Sequence, residues 1–113
     1  MDHAHRRYLE AKRSVDDRAL NRRVRDHLLE SLPDHPAIIE FGAGTGVTVP
    51  RLCSWGVDSG EYLGIDRDDE LVAFARHQRA AELGTEGYRV IETADGFRVG
   101  TDGDELHVRF TVG

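Results

Sequence analysis

The residues best suited to chemistry in this 113-residue chain are Glu40-Phe41-Gly42-Ala43-Gly44-Thr45-Gly46. Glycines at alternate positions let a backbone turn sharply and approach a ligand closely, because no Cβ intervenes. A second feature, Asp66, stands 20 residues after Gly46. A carboxylate there can accept hydrogen bonds from two vicinal ribose hydroxyls, provided that both features open on one edge of a parallel sheet. Glycine turn and distant carboxylate together are the general mark of a site for an adenosine-containing cofactor. A dinucleotide-binding turn places its glycines as G-x-G-x-x-G. Here Gly42 and Gly44 fit, but Val47 occupies the third place. The observed spacing is acid-x-Gly-x-Gly-x-Gly.

The flanking segments supply the elements such a site needs. Ala37-Ile38-Ile39-Glu40-Phe41 is a short, nearly continuous apolar run, which predicts a strand buried on both faces, as in parallel sheets. Val47 to Trp55 reads as a helix. Its free N-terminal amides would face the ligand site, Pro50 is tolerated in the first turn, and Gly56 can close it. Glu61 to Asp66 reads as a second strand. Asp68 or Asp69 can cap a following helix, whose apolar face is Leu71, Phe74, Ala75 and Leu83 and for which Gly84 is a natural stop. The chain then changes character. Tyr88 to Thr93, Phe97 to Val99 and Leu106 to Val112 alternate apolar with polar residues, separated by Ala94-Asp95-Gly96 and Thr101-Asp102-Gly103-Asp104. Asp-Gly between alternating runs is a hairpin signal. Upstream, residues 4–32 read as helix broken in two. Ser14 and Asp17 resemble a capping box, Leu20, Val24, Leu28 and Leu32 form one stripe, and Pro33 ends the segment.

The motif resembles motif I of class I (Rossmann-like) S-adenosylmethionine-dependent methyltransferases, in which an acid typically stands two places before the first glycine. The resemblance covers Arg13 to Gly113. It implies that the turn Gly42, Ala43, Gly44, Thr45, Gly46 packs against the methionine and ribose part of the cofactor. It implies also that Glu40 supports the methionine amino group, often through water, and that Asp66, with its neighbour Arg67, forms the ribose side. The cofactor would be S-adenosylmethionine, leaving as S-adenosylhomocysteine. The implied fold is α/β in one domain. Residues 1–34 are an N-terminal helical segment, 35–87 a βαβα cofactor-binding core, and 88–113 a β-hairpin with the third core strand. The family sheet normally has seven strands, and this chain supplies three plus an extra hairpin. The acid that contacts adenine after the third strand, and the fourth strand that carries catalytic residues, have no counterpart here. The expectation is a truncated domain whose full-length parent is a methyltransferase. The chain would be inactive alone, its catalytic residues and methyl acceptor unassigned. Its first strand would have an open edge through which it self-associates. Two other functions remain open: an NAD-binding oxidoreductase fragment, which Glu40 and Val47 oppose, and a non-enzymatic Rossmann-like interaction module.

Composition narrows the partners. There are 21 acidic residues against 15 basic ones, a net charge of −6. That argues against a nucleic-acid surface, which needs excess positive charge. Lys12 is the only lysine. Scarce lysine with abundant aspartate fits a salt-loving organism or GC-rich codon usage equally. No apolar run reaches the roughly 20 residues that span a bilayer, and no secretory signal opens the chain. With Cys53 alone there is no internal disulfide, so the expected compartment is the cytoplasm. His3 and His5 are too few to hold a metal. His27, Cys53 and Trp55 read as packing residues, and Asp95 as a turn residue.

Overall fold

The computed structural model describes residues 30, 32–101 and 103–113. Five strands and two helices follow one another: β1 (Ala37–Phe41), α1 (Thr48–Ser54), β2 (Gly60–Asp66), α2 (Asp69–Thr85), β3 (Arg89–Glu92), β4 (Gly96–Thr101) and β5 (Asp104–Val112). The strands form one mixed sheet in the order β1-β2-β5-β4-β3. β1 pairs with β2 and β2 with β5 in parallel, whereas β5–β4 and β4–β3 are antiparallel. The hairpin β3–β4 is therefore inserted before the third parallel strand, where the alternating sequence placed it. Of the helical reading of residues 4–32, all but Glu30 and Leu32 lies outside the described residues, its caps and histidines included; Glu30 is helical, and Leu32, the last residue of the stripe, sits in a bend partly buried against the core. Among the described residues no helix is long and apolar enough to cross a membrane.

Both parallel connections step in the same direction across the sheet. Right-handed crossovers then put α1 and α2 on one face, and the burial pattern agrees. Tyr62 of β2, Phe97 and Val99 of β4, and Leu106, Val108 and Phe110 of β5 all point to that side. There they join Val49, Leu52, Val72, Ala75 and Leu83 of the helices in one core. Arg76 ties α2 to the sheet. Its guanidinium donates to the carbonyl oxygen of Phe110 at 2.7 and 3.0 Å and to that of Asp95 at 3.2 Å. Asp95 lies in the turn between β3 and β4, and its carbonyl also accepts from Phe110 N–H at 2.9 Å.

Local chemistry sets the helix ends. Asp68 accepts from Glu70 N–H and Leu71 N–H, an N-cap for α2. Both helices end in the same way, with a left-handed glycine. After α1, Gly56 N–H reaches Cys53 O and Val57 N–H reaches Leu52 O. After α2, Gly87 N–H reaches Gly84 O and Tyr88 N–H reaches Leu83 O. These are paired 5→2 and 6→1 bonds, which satisfy the orphan carbonyls.

Three expectations are corrected. Gly84 does not stop α2, which runs on to Thr85 and turns out at Gly87. Phe74 is only half-buried, and Val72, Arg79 and Ala80 belong to the buried side of α2 instead. β1 is not buried on both faces. It lies at the sheet edge, with Ile39 60% and Phe41 79% exposed on the face away from the helices. A short apolar run cannot by itself distinguish two-sided burial from an edge strand.

Candidate functional site

Parallel pairing brings the C-terminal ends of β1 and β2 together, with Phe41 in register with Ile65. The glycine turn leaves β1 and is pinned to β2 by Ala43 N–H to Ile65 O at 3.0 Å. It then folds back on itself through Gly46 N–H to Ala43 O at 3.0 Å and enters α1. Gly42, Gly44 and Gly46 all take left-handed φ values, +69°, +59° and +79°. The three are not equivalent. A Cβ on Gly46 would stand 2.7 Å from the Phe110 ring and 3.1 Å from Ala75 Cβ, so this residue seats the turn on the core. A Cβ on Gly42 or Gly44 would meet nothing within 4 Å. Those two therefore combine a glycine-favoured backbone with open space beside it, which is the geometry of a turn that a ligand can approach.

Gly64, under the turn, performs the complementary service. A Cβ there would meet Ala43 Cβ at 2.9 Å and the Phe110 ring at 2.8 Å. Ala43 thus packs against β2, and Thr45 is buried at 3% exposure. Thr45 therefore reaches a ligand only through its backbone. Arg67 is exposed at the rim.

Two carboxylates flank the turn. Asp66, ending β2, accepts from Gly44 N–H through Oδ2 at 3.0 Å and from Asp68 N–H through Oδ1 at 2.9 Å. Each oxygen uses one of its two lone-pair directions and keeps another for a donor arriving from outside. The Gly44 bond also joins the two sequence features physically, across 22 residues. Glu40, near the end of β1, accepts from Thr48 Oγ1 at 2.8 Å and from Tyr62 Oη. Tyr62 is fully buried, its ring edge-on to Phe110 at 5.7 Å. Burial first, and Glu40 second, push its phenol well above the usual tyrosine range.

The arrangement can do a definite kind of chemistry. Two ordered carboxylates beside an open turn present acceptors and negative charge, so they favour a ligand rich in hydroxyl and ammonium donors. A pyrophosphate placed in the turn would face Glu40 and Asp66 as like charges, which is unfavourable. The structure brings Glu40, Gly42, Gly44, Gly46 and Asp66 together at one end of the sheet. It adds Thr48 and Tyr62, which the sequence did not single out. Their signal was slight: a tyrosine in an apolar strand needs a partner for its hydroxyl when buried. Cys53, on α1, is buried, and burial pushes its thiol up to about 12, so it is no nucleophile. No protein family, no curated protein and no solved structure matches this chain.

Proposed function

We propose that this chain is the S-adenosylmethionine-binding part of a class I, Rossmann-like methyltransferase that transfers a methyl group to an acceptor. The observation that carries the reading is the joining of Asp66 to the glycine turn through Gly44, with Glu40 ordered on the other side. Asp66 offers free acceptor directions for the ribose hydroxyls. Gly42 and Gly44 leave room for the cofactor's methionine and ribose portion. Glu40 offers a carboxylate for the methionine ammonium. The sheet order of the three parallel strands, with both crossovers on one face, also suits a Rossmann-like half.

When bound, the cofactor supplies an electrophilic methyl group on its sulfonium. The protein's residues bind and orient it. Neither the acceptor nor a catalytic base is assigned to a residue of this chain.

Calorimetric titration with S-adenosylhomocysteine, and separately with NADH, tests the reading. Binding of the first alone, weakened in Asp66→Ala, is the expected result. NADH binding alone would make the chain an oxidoreductase fragment. Binding of neither would leave the interaction module as the better account.

A further inference from the structure

Glu40 is held from two different elements. Thr48 Oγ1, from the first residue of α1, reaches Oε2 at 2.8 Å, and Tyr62 Oη, from the middle of β2, reaches Oε1. Both are hydrogen bonds to a carboxylate, the stronger class. Tyr62 has little freedom of its own. It is fully buried against Phe110, whose ring also presses on the positions of Gly46 and Gly64. A phenylalanine would fill the same space without a hydroxyl to desolvate, and a buried hydroxyl is costly unless it is used. Here it is used on Glu40. The raised phenol keeps its proton at any physiological pH, so it remains a donor. Glu40 retains further acceptor directions, and a carboxylate so oriented suits a cationic donor.

We propose that Tyr62 and Thr48 are positioning residues that fix the Glu40 carboxylate to receive the ammonium of the cofactor's amino-acid half. The inference rests on the cofactor reading above. It assigns recognition of the amino-acid half to a rigid path from the core, Phe110 to Tyr62 to Glu40. The adenosine half is left to Asp66 and the turn.

The test uses two ligands with the 113-residue chain: S-adenosylhomocysteine, and 5′-methylthioadenosine, which keeps the adenosine and thioether but lacks the amino-acid ammonium and carboxylate. Tyr62→Phe should weaken S-adenosylhomocysteine about tenfold, the loss expected of a hydrogen bond to a charged group, and leave methylthioadenosine unchanged. In a Glu40→Gln background the same substitution should cost nothing more, because its effect runs through the carboxylate. Equal losses for the two ligands, no loss for either, or an undiminished loss in the Glu40→Gln background would each overturn the inference. If methylthioadenosine binds too weakly to titrate, the coupling between Tyr62 and Glu40 measured with S-adenosylhomocysteine decides alone. If Tyr62→Phe does not fold by circular dichroism, Thr48→Val at the start of α1 provides the same comparison. A wild-type chain that binds neither ligand overturns the cofactor reading and this inference together. A wild-type chain that binds, with variants that fail to discriminate, removes this inference only.

Discussion

Gly46 carries two constraints at once, a left-handed φ and a Phe110 ring that would stand 2.7 Å from any Cβ placed there, whereas Gly42 carries only the first. The difference is measurable. Gly46→Ala should destabilise the chain by about 3 kcal/mol, combining backbone strain with overpacking. Gly42→Ala should cost about 1 kcal/mol, from the backbone alone. Urea midpoints of the two variants check this, and equal shifts would mean that Gly46 does not seat the turn. Cys53 and Tyr62 set an alkaline limit. The Cys53 thiol, with an ordinary value of 9.0, is pushed to about 12 by burial first and then by Glu86 and Asp58. The unfolded thiol therefore loses its proton above about pH 9 while the folded one holds it. The unfolded state binds fewer protons in that window, so stability falls as pH rises through it. Tyr62, shifted upward from 10.0, acts with the same sign. Denaturation curves between pH 8 and 11 should show the decline, and Cys53→Ala should flatten part of it. At this scale the glycines, Glu40 and Asp66 were legible, because spacing alone encodes a turn and a distant acid. The grips on Glu40 were not. Tyr62 lies 22 residues from Glu40, and no local pattern relates two side chains that meet only through strand pairing.

Helix boundaries show how far punctuation residues can be trusted. Asp68 was readable as a cap because an N-cap is a local bond between a side chain and amides two and three residues on. Asp68→Ala should lower stability by about 1 kcal/mol. The exit of α2 was misplaced at Gly84 because a glycine within a helical pattern resembles a stop, and only tertiary packing of Leu83 and Tyr88 decides which glycine takes the left-handed turn. Gly87→Ala should therefore cost more than Gly84→Ala, by a margin of order 1 kcal/mol, and thermal midpoints would show the ranking. The hairpin β3–β4 and strand β5 were legible through period-two alternation, which persists because one face packs on α2 and the other does not. β1 misled for the opposite reason. Its apolar residues Ile39 and Phe41 are on the exposed face of an edge strand, and sequence records apolarity without saying what covers it.

Across the whole molecule, β1 and β3 are the two edges of the sheet among the described residues. On the β1 side no strand among the described residues pairs with the outer edge, and Ile39 and Phe41 stand beside it. Unpaired strand groups next to exposed apolar side chains form a template for a second copy of the same strand. The net charge of −6 opposes that approach, and salt screens it. Light scattering should therefore show association that grows with concentration and with salt, and Ile39→Lys should suppress it. A monomer at every concentration and salt would count against pairing through β1. The candidate site lies at the C-terminal end of β1, directly after Phe41, where the glycine turn meets Asp66. Titration of the wild-type chain and of Asp66→Ala with S-adenosylhomocysteine separates the proposed function from its rivals. The wild-type chain should bind, and binding should weaken about tenfold to a hundredfold in the variant, because hydroxyl donors lose a charged acceptor. Equal binding by both proteins, or binding of NADH instead, would contradict the proposed function.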